Sequence, residues 1–194
     1  MKCLIALTLL AGMASLPTTA LAISKHPDAA ALLTAKDAVA MVAGPLDEVS
    51  KLESKPDAEN GHDHNTICGY FPKGYRLAEA ERPPERGVQL SLHRFPTPKE
   101  AQKFYDLTAA AEREMAKTAG SATAGSKVEV LKGVGQAGVL SVKKLTPEPK
   151  AVYQVGIATF LKGSVMGQLT VWRRDATVAA AASAGAKQIA AKLP

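Results

Sequence analysis

Between Ala151 and Trp172 the chain alternates side-chain character on both sides of a Lys162-Gly163-Ser164 break. That is the pattern of two antiparallel strands and a tight turn. Alternation sets Tyr153, Val155, Ile157, Thr159 and Leu161 on one face of the first strand, and Val152, Gln154, Gly156, Ala158 and Phe160 on the other. In the second strand Val165, Gly167, Leu169 and Val171 share one face, and Met166, Gln168, Thr170 and Trp172 the other. A three-residue loop pairs Leu161 with Val165, Ile157 with Leu169 and Val155 with Val171, which buries one aliphatic face. A two-residue Lys162-Gly163 loop fits primed-turn chemistry better but sets Ile157 against Gln168. Burial favours the three-residue loop, and a bulge at Gly156 or Gly167 could meet both demands. The opposite face then carries Gln154, Phe160, Gln168, Thr170 and Trp172, a mixed polar and aromatic set. If that side of the sheet is open, it is the foremost candidate binding surface.

The rest of the chain reads as covers and further strands. A short helix is possible after Pro27, and Thr34 to Ala43 is a helix with Thr34 and Asp37 placed as a capping box, stopped by Gly44-Pro45. Strands are expected around Val49 to Leu52, over Ile67 to Phe71, and over Gly87 to Phe95, where Val88, Leu90 and Leu92 share a face. Thr97-Pro98-Lys99-Glu100 is a strong helix start, with Pro98 at the first helical position. That helix runs to about Ala119, with Ala101, Phe104, Thr108, Ala111 and Met115 inward and Glu112, Arg113, Glu114 and Lys117 solvated. Lys127 to Leu131 and Ala137 to Leu145 read as strands around a Gly133-Val134-Gly135 turn. Asp175 caps a last helix over Ala176 to Lys192, whose inner face is Val178, Ala182, Gly185, Ala186, Ile189 and Leu193. Short turns between strands imply an α+β fold, an antiparallel sheet with helices packed on it, in the order α-β-β-α-β-β-β-α.

Hydropathy at the start changes the compartment. Lys2, a short apolar run from Leu4 to Met13, and Ala20-Leu21-Ala22 form a signal-peptide pattern, with cleavage expected after Ala22. The run is too short to span a bilayer, so a periplasmic or secreted protein with no membrane span after cleavage is expected. Residues 23–194 then suit a single domain with a real core. The net charge of +6 is modest and scattered, with no basic block interleaved with aromatics, so nucleic-acid binding is unsupported. Past the signal peptide only Cys68 remains, which excludes an intramolecular disulfide.

Three clusters carry possible chemistry. His62-Asp63-His64, four residues before Cys68, offers imidazole and thiolate ligands for zinc or copper, and a solvated Asn/Gly/Asp-rich loop explains the same residues. Only His26 and His93 could complete such a site. Cys68 with His64 or His93 could form a nucleophile–base pair, but no third member or oxyanion turn accompanies it, and a buried structural thiol explains it equally. Gly133, Gly135 and Gly138 match G-x-G-x-x-G, but the run GVLSVKKL from Gly138 is strand-like rather than helical, so a dinucleotide site is rejected. No cofactor is implied.

Four pieces taken in order, LLTAKDAVAMVAGPL from Leu32, CGYF from Cys68, LKGVGQAGVLSV from Leu131 and the closing hairpin with its helix, resemble bacterial exported domains and lipoproteins of unknown function. These run as LTxxDV…G, CxY and GxGDxA. Here Gln136 stands where that pattern has Asp, and no lipid-attachment Cys is present. The resemblance implies an α+β sandwich shaped like the PsbP-like fold and brings no catalytic residues. Together these observations point to a non-catalytic exported domain that binds an envelope protein or small ligand. Periplasmic zinc or copper binding through His62, His64 and Cys68 is the first alternative, and a Cys68-dependent enzyme the second.

Overall fold

The segments of alternating sequence pair into one antiparallel sheet of seven strands. A computed structural model describes residues 27–54, 63–76, 83–118, 126–148 and 151–194. The signal-peptide pattern lies outside these residues. In chain order the elements are α1 (Ala29–Leu32), α2 (Ala35–Val42), β1 (Glu48–Ser54), β2 (His64–Phe71), β3 (Gly87–Arg94), α3 (Pro98–Thr118), β4 (Lys127–Val130), β5 (Ala137–Glu148), β6 (Ala151–Lys162), β7 (Val165–Arg173) and α4 (Val178–Lys192). The α+β antiparallel architecture is as expected, with one more helix and two more strands than the expected order.

The strand order is β1-β2-β3-β7-β6-β5-β4. Two meanders, β1 to β3 and β4 to β7, are each built from sequence-adjacent hairpins. They join along a single seam where β3 pairs with β7, from Gly87 opposite Trp172 to Arg94 opposite Val165.

Both faces of the sheet are covered, unequally. Helices α1, α2 and α4 pack on the first face, over Cys68, Tyr70, Val88, Leu90, Leu92, Leu140, Ala158, Phe160, Leu169 and Val171. Among the described residues helix α3 is the one helix on the second face, against Val139, Leu161 and Met166 with Phe95, Ala101, Tyr105 and Ala109. Each large side chain fully buried in this way contributes about 1.5–3 kcal/mol. The Ala-rich α4 lies close on β6. A Cβ at Gly156 would stand 3.0 Å from the Val178 carbonyl oxygen and 3.1 Å from Ala182 Cβ. The capping signals act as expected: Thr34 and Asp37 form the capping box of α2, and Thr97 Oγ1 accepts from the Glu100 amide at 3.2 Å.

Three expectations are corrected. The β6–β7 hairpin adopts neither of the two expected registers. Its loop is Gly163-Ser164, with Lys162 opposite Val165, Leu161 opposite Met166, Phe160 opposite Gly167 and Val155 opposite Trp172. Gly163 takes φ 58°, the left-handed region that the first central position of a type I′ or II′ turn needs. Aliphatic content did not choose the register because both faces are buried; the small residues did. Gly156, Ala158 and Gly167 occupy the face where α4 and the Phe160 ring need room.

The second correction is the rotation of α3. Its buried stripe is Ala101, Tyr105, Ala109 and Glu112, whereas Met115 is about half exposed and Ala111 is exposed. Glu112, expected in solvent, is only 6% exposed, because Lys143 on β5 reaches it across the second face. The third concerns α4, which begins at Val178 rather than Ala176. Asp175 accepts from the amide and hydroxyl of Thr177, so it closes a turn ahead of the helix instead of capping it.

Candidate functional site

Because opposed residues in an antiparallel pair share a face, the registers lay out the second face in rows. One row reads Ile67, Ser91, Gln168, Thr159, Val139 across β2, β3, β7, β6 and β5. The next reads Gly69, Gln89, Thr170, Ile157, Ser141. Six polar side chains, Gln89, Ser91, Ser141, Thr159, Gln168 and Thr170, therefore occupy neighbouring positions at the centre of the sheet. Sheet centres are ordinarily apolar, so this block is the feature to explain.

The block is shielded. Ser91, Ser141, Thr159 and Thr170 are buried and the two glutamines half-buried. On one side of it stand α3 and the Glu112–Lys143 pair, Nζ 3.0 Å from Oε2. Along the strands it is bounded at one end by Phe95, Phe104 and Met166. At the other end stand Phe71, Tyr75 and the half-buried Trp172, with the Phe71 ring centroid 5.3 Å from that of Tyr75 and 5.9 Å from that of Trp172. Internal bonds satisfy part of the block: Gln168 Nε2 donates to Thr159 Oγ1 at 3.3 Å, and Ser91 Oγ lies 3.3 Å from Asn65 Oδ1 and 3.0 Å from His93 Nε2. Ser141 Oγ and Gln89 Oε1 are buried and find no partner among the described residues. An unmade hydrogen bond of that kind costs about 1–3 kcal/mol, so these two atoms are the costly points of the block.

The five residues expected to form one binding surface do not share a face. Gln168, Thr170 and Trp172 point to the second face, but Gln154 and Phe160 belong to the first, where Phe160 is completely buried. The one-residue change in register from the expected pairing causes this split. Gln89, Ser91, Ser141 and Thr159 were missed, although the signal was legible. Each is a polar residue alternating with large apolar ones in a strand that proved central.

The metal and nucleophile candidates are scattered. His62 lies outside the described residues, as does His26. His64 and Cys68 lie on one strand and one face, four residues apart, about 13 Å at the rise of an extended chain. Single-ion ligation requires donors within about 2.0–2.3 Å of the metal, which this spacing does not bring about. His93 points to the opposite face. Among the described residues no group of three or more His, Cys, Asp or Glu side chains is disposed to hold a metal ion. Cys68 is completely buried, and burial pushes its thiol pKa up, against a smaller opposing effect of its hydrogen bond with Tyr70. Tyr70 donates in turn to the Leu33 carbonyl at 3.0 Å, and burial, followed by the neighbouring Cys68, raises its phenol to about 12. A nucleophilic cysteine needs the opposite shift; this pair ties α1 to the sheet.

The Gly133-Val134-Gly135 segment joins β4 to β5 as a turn with both glycines at positive φ. It opens no helix. Gln136, the departure from the GxGDxA pattern, accepts from the Gly163 amide at 2.8 Å and braces the β6–β7 turn. A groove of about 360 Å³ runs between α2 and α4, past Asp37, Met41, Arg173 and Gln188. Its charged groups are engaged internally. Asp37 accepts from Gln188 and Thr34, which together hold its carboxyl down at about 2, and Arg173 donates to the Met41 carbonyl and to Asp175.

No helix among the described residues is long and apolar enough to cross a membrane. No protein-family model matches the chain, and no curated protein matches its sequence. Among solved structures the chain is similar to the crystal structure of the extracellular domain of PknH from Mycobacterium tuberculosis. The TM-score is 0.59 at 13% sequence identity, over 84% of this chain and 94% of that one. At that identity the likeness is one of fold, and it places the seven-stranded sheet with its unequal helical covers among known architectures.

Proposed function

We propose that this chain is a non-catalytic exported domain whose second sheet face, centred on Gln89, Ser91, Gln168 and Thr170, binds a small ligand or a protein partner in the cell envelope. The observation that carries the proposal is the shielded polar block with Ser141 Oγ and Gln89 Oε1 unpartnered among the described residues. Polar groups clustered beside aromatic side chains are the ordinary make-up of a recognition surface. Export is supported by the signal-peptide pattern, and similarity of fold to an extracellular domain is compatible with it.

The test is a two-dimensional amide spectrum of the isotope-labelled protein, titrated with small-molecule and protein fractions of envelope extract. Occupancy of the block would shift the side-chain amides of Gln89 and Gln168 while leaving that of Gln188, on the other face, in place. If no fraction moves those amides selectively, the proposal is overturned.

A further inference from the structure

We propose that a second copy of this chain docks on the outer side of α3, the two α3 helices lying antiparallel. Helix α3 turns its buried stripe to the sheet and leaves Leu107 62% exposed and Met115 about half exposed. Glu100, Lys103, Leu107, Ala110, Glu114 and Lys117 are all exposed and recur at alternating intervals of three and four residues. That spacing lines them along one side of the helix, in the a and d positions of a coiled coil. The stripe selects its own occupant. Set antiparallel about the midpoint between Leu107 and Ala110, Glu100 meets the partner's Lys117, Lys103 meets the partner's Glu114, and Leu107 meets the partner's Ala110. Beside the stripe, Asp106 comes opposite the partner's Arg113, and Phe104 opposite the partner's Ala111. Every match recurs in reverse, as a two-fold axis requires. In-register parallel pairing would instead set like charges together along the whole stripe. Helix α3 carries four basic and four acidic residues, so the chain's net charge of +6 is not concentrated on this side. The bonds these side chains already make do not block the pairing. Lys117 and Glu114 lie 3.2 Å apart in an exposed ion pair of little worth, which can be exchanged across the interface. Thr97 donates to Oε2 of Glu100, and Oε1 remains for the partner's Lys117.

The test is sedimentation equilibrium of the chain without its signal segment, residues 23–194. A contact confined to one helix belongs to the small, transient class of interface, below about 1,200 Å². The expected result is a reversible monomer–dimer equilibrium with a Kd between about 10 µM and about 1 mM, so concentrations run from about 5 µM to about 2 mM. Lys103→Glu and Glu114→Lys each bring like charges together at two symmetric places, and each should weaken the dimer about tenfold. An equimolar mixture of these two variants restores opposite charges at both places and should dimerise about as well as the unaltered chain. The double variant carrying both changes should do the same. Leu107→Glu removes the apolar centre and should weaken the dimer at least about tenfold. All three positions are exposed, so folding should hold, and circular dichroism and melting temperature confirm it. A chain that stays monomeric at the highest concentration overturns the proposal and leaves this side of α3 to a different partner or to water. A dimer indifferent to Lys103→Glu, Glu114→Lys and Leu107→Glu lies elsewhere on the molecule and overturns it too. Failure of both the mixture and the double variant to recover refutes the antiparallel pairing.

Discussion

Replacing Gly167 with alanine tests the hairpin register on which the location of the candidate site depends. In the observed pairing Phe160 lies opposite Gly167 and its ring rests on the glycine. An alanine Cβ would fall inside the van der Waals envelope of the ring, and even the more distant Cε1 would be 2.9 Å away. The ring has no ready retreat, because Phe160 is completely buried among the core residues under α4. Overpacking of this kind costs about 1–3 kcal/mol, and the immobile ring argues for the upper end, near 3 kcal/mol. For a domain of this size that is a fall in melting temperature of about 6–12 °C. In the register with Leu161 opposite Val165, Gly167 would face Thr159, and the same substitution would be neutral or would stabilise by about 0.5–1 kcal/mol through the unfolded chain. Urea and thermal unfolding of Gly167→Ala, Phe160→Leu and the double variant complete a cycle. Shortening the ring should recover part of the loss, with a coupling of about 1–2 kcal/mol. An unchanged melting temperature in Gly167→Ala, or strict additivity in the cycle, would refute the pairing and return Gln168, Thr170 and Trp172 to the other face.

Cys68 should resist thiol reagents in the native protein and label only once denaturant unfolds the chain; fast native labelling would contradict its burial. Asp37 has its carboxyl held at about 2, below its unfolded value near 3.9, so its contribution is fully present above about pH 4 and fades as pH falls through about 2. Solvent screening at this partly exposed site limits the effect to about 1 kcal/mol. Asp37→Asn should flatten that much of the difference between urea midpoints at about pH 7 and about pH 2, and an identical acid limb in the variant would contradict the hydrogen-bond account. Glu112→Ala leaves Lys143, four-fifths buried, without its partner and should cost about 2–3 kcal/mol in chemical unfolding. Adding Lys143→Met should restore most of it, and a double variant no more stable than the single would show that the pair is not the cause.

The fold was legible because local signals agreed with one another. The Thr34 and Thr97 caps, Pro98 at a helix start and the alternation of Val88, Leu90 and Leu92 each specify an element without reference to the rest of the chain. The site was less legible, for one physical reason: the sheet is covered on both faces. Where Val155, Leu161 and Met166 on one face are as buried as Phe160, Leu169 and Val171 on the other, alternation no longer distinguishes core from solvent. The distinguishing residues were the small ones, since Gly156 and Gly167 are where a helix and an aromatic ring approach the backbone. Glu112 misled for a related reason. Buried carboxylates are uncommon, and its partner Lys143 is supplied by a strand that sequence spacing could not bring to it.

The seam between β3 and β7 has a kinetic consequence. Every other strand pairing in the sheet joins sequence neighbours, so each meander can zip locally, whereas Gly87 must find Trp172 across nearly half of the chain. Closing that long loop is the entropically costly step, so the two halves are expected to form first and dock last. The polar block straddles this join: Gln89 and Ser91 come from one half, Gln168 and Thr170 from the other. The block is thereby incomplete until the halves have met. A ligand bridging the seam would hold it shut and deepen hydrogen-exchange protection there first.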